Sequence, residues 1–266
     1  MRDRRAQPDR FVILTAPRTG SNYLCTLLNS HPDILCHHEL FNPHVVGVAR
    51  HLQQTEILGT VEERERDPKG FLARAWSMST GRRLVGFKLC WRQHPAALHA
   101  VLNDRLVRKI VLKRRNKVRS FVSLALARQT GEWVAYHDSP RPGPRPKIVI
   151  DVDDMLSTIA YNRQYYEEIE ASLAATRQVH FELHYEELFL DETLRLMLRF
   201  LGVSDADAAG MAGESWQLIS ASLSDVVGNF DELAAALRGT EMEAELHLPS
   251  FVVEHVPKKL LDFFDI

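Results

Sequence analysis

Short runs of β-branched and aromatic residues alternate with segments of helical periodicity along most of this chain, and no other feature narrows the possible folds as much. The runs are FVILTA at 11–16, LVGFKL at 84–89, KIVLK at 109–113, KIVIDV at 147–152 and VHFEL at 179–183. SNYLCTLLNS follows the first, with Tyr23 or Leu24, Leu27 and Leu28 on one helical face. PAALHAVLN follows the second, and NKVRSFVSLALARQ follows the third with Val118, Phe121, Val122, Ala125 and Leu126 in phase. Strand and helix in alternation predict an α/β layer fold around a largely parallel sheet. Such sheets take ligands beyond the carboxyl ends of their strands, where PRTGSN at 17–22 falls.

At 266 residues and 45% hydrophobic content the chain can build one sizeable core, so a single domain over 1–266 is expected. Thirty-three basic and thirty-five acidic residues leave a formal charge of −2, which gives no whole-chain field toward nucleic acid or anionic membrane. An anion site must therefore be local. Cys25, Cys36 and Cys90 lack metal-type spacing and suit reduced thiols in a cytoplasmic protein. No window reaches the roughly 20 apolar residues of a membrane span, and residues 1–9 read as a flexible arm. Residues 53–70, dense in charge, and 138–146, rich in proline, read as surface loops. Beyond them DDMLSTIAYNRQYYEEIEASLAAT predicts a long helix, and DETLRLMLRFLGV another, with Asp191 as N-cap and Gly202 as stop.

A strand ending at Ala16 and a helix starting near Ser21 leave a turn whose amides, backed by the helix N-terminus, suit an anion. Gly20 allows close approach, Arg18 adds charge, and Thr19, Ser21 and Asn22 offer donors, a set fitted to a tetrahedral oxyanion. The triphosphatase pattern G-x-x-x-x-G-K-[ST] is absent, which argues against ATP hydrolysis. A second site is expected where VLKRRNKVRSFVS passes from strand to helix, with Arg115 at the junction and Ser123 eight residues on. Lys113, Arg114, Arg119 and Arg128 read as solvated charges.

These stretches resemble the motifs of sulfotransferases. APRTGSNYL is similar to their 5′-phosphosulfate loop, P-R-S-G-S-T-x-L, and RRNKVRSFVS to their 3′-phosphate motif. VSLALARQTGEW resembles the V-S-L-x-R-A-x-Q-T-G-x-W of the bacterial subgroup that includes the trehalose 2-sulfotransferase; YEEL at 185–188, FLGV and LSDVVGNFDEL fit the later part of the pattern. The resemblance spans roughly residues 10–235, with Thr19, Asn22 and Lys117 departing from the usual residues and 36–80 matching poorly. It implies a P-loop-like three-layer sandwich, the sulfotransferase fold, and transfer of a sulfuryl group from 3′-phosphoadenosine 5′-phosphosulfate (PAPS) to a hydroxyl, with 3′-phosphoadenosine 5′-phosphate (PAP) as product. Pro17 to Tyr23 would hold the 5′-phosphate, Arg115 and Ser123 the 3′-phosphate, and Tyr185 the adenine.

No metal is expected, because a sulfuryl group carries less charge than a phosphoryl group and an arginine with helix-end amides can suffice. In CHHELFNP, Glu39 aligns with the family's general base, while His37 and His38 are rivals because histidine titrates near neutral pH. Lys88, in a G-x-K segment, is the third catalytic candidate beside Glu39 and Arg18, and Trp91, Trp133 and Phe41 are candidates for stacking on an acceptor. The expected acceptor is a carbohydrate, glycolipid or related small metabolite, with neither nucleic acid nor membrane span involved and a homodimer left open. The competing functions are an ATP-using enzyme with a degenerate loop and a non-catalytic nucleotide-binding module.

Overall fold

The computed structural model describes residues 8–52, 57–140, 147–216, 219 and 221–248. Five strands, β1 (Asp9–Thr15), β2 (Ile34–His37), β3 (Leu84–Cys90), β4 (Val107–Lys113) and β5 (His180–His184), form one sheet in the order β2-β3-β1-β4-β5. Every pairing is parallel, as the alternation predicts. The helices are α1 (Ser21–Asn29), α2 (Val61–Arg66), α3 (Pro68–Ser77), α4 (Pro95–Asn103), α5 (Lys117–Thr130), α6 (Val152–Ala175), α7 (Asp191–Leu201), α8 (Leu223–Val226) and α9 (Phe230–Leu237). Phe11 and Ile13 of β1 face a core shared with α1 and α7, whereas Val12 and Leu14 face one shared with α3, α4 and α6. That burial on both faces is why β1 reads as an unbroken apolar run rather than an alternating one. A third cluster joins α5 and the start of α6 to α8 and α9.

The strand order puts a topological switch point between β1 and β4, since the chain leaves β1 toward β2 and leaves β4 toward β5. The turn after β1 and the head of α5 therefore open into one crevice.

Several sequence expectations change. Residues 147–152 form no strand of the sheet: Ile148 makes one isolated bridge to Val227, and α6 begins at Val152 with Asp151 capping the amide of Asp154 at 3.0 Å. The segment expected as a loop at 53–70 contains α2 and the start of α3; residues 53–56 lie outside the described residues. Its charge density hid two start signals, the Thr60–Glu63 capping box and Asp67 before Pro68. Arg64 of α2 is buried and donates to the carbonyls of Leu40 and Asn42, each at 2.8 Å, which holds the segment after β2 in place. Asp191 is the first helical residue of α7, not its cap, whereas Gly202 ends that helix at φ 74° as expected. Asp9 pairs with Leu84 inside the sheet, so the expected arm is shorter by at least that residue, and 1–7 lie outside the described residues. So do 141–146 of the proline-rich loop. No described helix is long and apolar enough to cross a membrane.

Candidate active site

Between β1 and α1 the chain turns through two residues in the left-handed region, Arg18 at φ 64° and Gly20 at φ 80°. Only glycine fits at 20, because an added Cβ would lie 2.2 Å from Cδ2 of Tyr185. For Arg18 the same region costs about 1 kcal/mol, and it sends the side chain toward α5. There Nε donates to Oγ of Ser123 at 3.0 Å and a terminal nitrogen donates to the carbonyl of Trp133. The base of the turn is anchored by the Tyr166 hydroxyl, which accepts from the Ala16 amide at 2.8 Å and donates to the Leu112 carbonyl at 2.7 Å. No side chain caps α1, so its positive end is available to an anion.

Gly20, Ser21, Asn22 and Tyr23 join Ser123 and Tyr185 around a cavity of about 210 Å³. Its cations are Arg18, Arg114 and Arg119, and its described lining contains no Asp or Glu. Trp133, half exposed, belongs to its wall together with Phe189 and Trp216. The Arg114 guanidinium carbon lies 4.5 Å from the centroid of the Tyr185 ring, and its Nη1 donates to the Arg18 carbonyl at 3.0 Å.

Three residues expected to hold the donor border a different cavity, which Arg114 also lines. Pro17, Thr19 and Arg115 line a neighbouring cavity of about 470 Å³ on the other side of the turn. The Thr19 hydroxyl is spent inside the turn, donating to the Ala16 carbonyl at 3.0 Å. Arg115 pairs with the buried Glu187. The cause is helical phase: Asn116 caps α5, its Oδ1 accepting from the Arg119 amide at 2.7 Å, so Arg115 precedes the helix. Arg119 and Ser123 sit four residues apart and share a face. That spacing was the available signal, and the reading of Arg114 and Arg119 as solvated charges is corrected by it; Arg119 is only 2% exposed.

The β2–β3 side of the rim holds the proton-transfer candidates. Lys88, 3% exposed, donates to Oδ1 of Asn22 at 2.6 Å and pairs with Oε1 of Glu39 at 2.9 Å. Asn42 and Gln93 donate to the other oxygen of Glu39 at 2.9 and 2.8 Å. Burial by itself would raise the Glu39 pKa, but the Lys88 charge and these hydrogen bonds bring it down to about 2. Burial, then the charges of His38 and His51, lowers His37 to about 4; its Nδ1 accepts from the Ala49 amide at 3.1 Å, which marks it as a structural group. His38 Nδ1 lies 3.2 Å from Asn22 Oδ1, and because that oxygen can only accept, the ring nitrogen must donate. The three neighbours thus face three different partners. Phe41 is 1% exposed in the core against Phe71 and Phe87, so it cannot stack on an acceptor, and Trp91 packs edge-on against Tyr161. Cys25, Cys36 and Cys90 are all buried.

The parallel sheet, the glycine turn at its rim and the cation-lined cavity make this chain an α/β protein with a P-loop-like turn opening on an arginine-lined crevice. No family model matches the chain. It is similar to Nodulation protein H of Rhizobium tropici, 29% identical over 209 residues that make up 73% of this chain and 76% of that protein. Nodulation protein H of Rhizobium meliloti strain 1021 is 30% identical over 141 residues, 52% of this chain and 55% of the relative, so the match spans about half the length of that protein. Among solved structures, a sulfotransferase from Alicyclobacillus acidocaldarius superposes with a TM-score of 0.47 at 19% identity, over 91% of this chain and 96% of that one.

Proposed function

We propose that this chain moves a sulfuryl group from PAPS to a hydroxyl of a carbohydrate, glycolipid or related small metabolite. The observation that carries the reading is the cavity in which an uncapped helix N-terminus and three arginines meet an aromatic wall with no described carboxylate. That set fits a nucleotide with separated anions and repels no part of it. The acceptor class follows from the resemblance to the trehalose 2-sulfotransferase subgroup.

In this reading the donor supplies an activated sulfuryl group, and the protein supplies placement and charge. Arg18 and the amides at the head of α1 hold the 5′-phosphate, whose oxygen receives the electron pair of the breaking O–S bond. Ser123, bonded to Arg18, sets that guanidinium against the second anion site at the head of α5. Tyr185 packs over Gly20 and offers its ring to the base. Glu39 takes the proton of the acceptor hydroxyl as its oxygen bonds to sulfur. Lys88 bridges Glu39 to Asn22 and so ties the base to the donor loop. Residues 36–80, where the motif match is weakest, shape the acceptor side.

Titration calorimetry with PAP tests donor recognition: binding in the absence of Mg²⁺ is expected, and no binding to PAP but binding to Mg²⁺-ATP would replace this reading with an ATP-using one. Glu39→Gln is expected to lower kcat by about 10²- to 10⁴-fold with PAP affinity kept. The pH profile separates the two bases. With a pKa near 2, Glu39 stays ionised above about pH 4, so kcat should show no acid limb between pH 5 and 8. An acid limb inside that range would show that the proton goes to a group other than Glu39.

A further inference from the structure

One side chain at the edge of the site has no part in the chemistry described so far. Tyr136 lies in the segment after α5 and forms an antiparallel bridge with Ser215, a residue of the donor-cavity wall. Backbone bonds fasten that bridge on both sides, the His137 amide donating to the Glu214 carbonyl and the Trp216 amide to the Ala135 carbonyl, each at 2.8 Å. Arg50 approaches from the segment after β2, which also carries Glu39. Its guanidinium carbon lies 3.8 Å from the centroid of the Tyr136 ring, and its two terminal nitrogens donate to Asp138 and Glu214, each at 2.5 Å. The ring is held between three chain segments.

The hydroxyl of Tyr136 is left over. It makes no hydrogen bond to a described residue, and it is not sealed from solvent. Burial raises its pKa, and the charges of Lys88 and Arg50 draw it back only in part, so it keeps its proton through the neutral range and is available as a donor. Lys88 is the partner of Glu39. An open donor therefore stands within the field of the ion pair at which an acceptor hydroxyl would lose its proton.

Charge here runs opposite to that of the donor cavity. Arg50 answers two carboxylates, Asp138 and Glu214, whose side chains stay 66% and 54% exposed, while Lys88 and Glu39 offset each other. Arg50 and Glu214 also border, with Thr26, Asn29 and His51, a polar cavity of about 250 Å³. An anionic acceptor would be repelled at such a surface, and an acyl chain would find no apolar wall. Sugar hydroxyls would find donors and acceptors alike.

Resting on the sulfotransferase reading above, we propose that Tyr136 binds the acceptor, its hydroxyl donating to an acceptor oxygen, and that the site so formed selects a neutral polyhydroxyl compound over a phosphorylated or acidic one. Arg50 is the positioning residue, because it holds the ring and so sets where the hydroxyl points.

Transfer of labelled sulfate from PAPS to trehalose, methyl β-glucoside and glucose 6-phosphate tests the assignment, with PAP calorimetry run beside it on each variant. The wild type should favour the better neutral sugar over glucose 6-phosphate by at least about tenfold in kcat/KM. Tyr136→Phe removes one hydrogen bond and almost no volume. It should raise KM for that sugar about tenfold, with kcat within about threefold and PAP affinity unchanged. Arg50→Met should raise KM likewise, and Arg50→Lys, which keeps a cation over the ring, should recover part of the loss. Unchanged KM in Tyr136→Phe, a preference for glucose 6-phosphate, or PAP binding with transfer to none of the three overturns the proposal and leaves donor recognition standing. A wild type that does not bind PAP overturns the sulfotransferase reading and this proposal with it.

Discussion

Lys88→Ala is expected to lower kcat by about a thousandfold and to destabilise the fold by about 3 kcal/mol. Lys88 is buried where β3 passes β1, and its ammonium is shared between Asn22 of the turn after β1 and Glu39 of the segment after β2. Alanine would leave the Glu39 carboxylate, three-quarters buried, facing the hole with no cation. Burial, the largest influence on that carboxyl, would then go unopposed by charge and push its pKa up. The sign of the pH dependence follows. In the wild type the depressed Glu39 pKa contributes stability that is complete above the unfolded value of about 4.5 and is lost as pH falls toward 2. In Lys88→Ala that contribution disappears, and an acid limb of activity should move up into the measurable range. Urea melts between pH 4 and 8 with parallel turnover assays check both. The double variant Lys88→Ala with Glu39→Gln should regain part of the stability and none of the turnover, because the buried charge is gone but so is the proposed base. Equal stability of wild type and Lys88→Ala would show that the pair contributes nothing to the fold.

Gly20→Ala has the second largest expected effect, a loss of about 3 kcal/mol together with a fall of at least about a hundredfold in PAP affinity. At φ 80° an L side chain is strained whatever the space around it. Here the space is also occupied, since the new methyl would meet Tyr185 at Cδ2 and Cε2, 2.2 and 2.6 Å away. Relief requires either the turn or the ring to move. A shift of the turn misplaces the amides at the head of α1; a shift of the ring removes the support under Arg114. Adding Tyr185→Ala should therefore recover stability only in part, because it removes the clash and leaves the φ strain. Chemical denaturation and PAP calorimetry on the single and double variants measure each portion.

The glycine turn was legible because its chemistry is local: an apolar strand, a short reversal and an amphipathic helix in consecutive residues admit few geometries. The long helix α6 was legible from periodicity, and the stop at Gly202 from the need for a left-handed residue there. The four-residue strand β2 is too short for its pattern to stand out, and 147–152 carries strand-forming residues that are buried by α5, α8 and α9 rather than by strand pairing. Local preference loses to tertiary burial in both cases. Arg115 was chosen from its motif position, but which guanidinium turns inward depends on where α5 begins, and Asn116 decides that by capping it.

By itself the sequence determined the α/β class and the glycine turn at Gly20, which rest on residues near one another in the chain, and motif resemblance added the candidates Arg18, Glu39, Lys88 and Ser123. Only the tertiary structure decided which of them meet. The pairing of β3 beside β1, with Lys88 opposite Ile13, carries the lysine to Asn22, and no pattern within either strand specifies its neighbour. The same lateral order sets Arg114 and Arg119 across from the turn after β1, so the charge balance of the cavity is a property of the sheet and not of any segment in it.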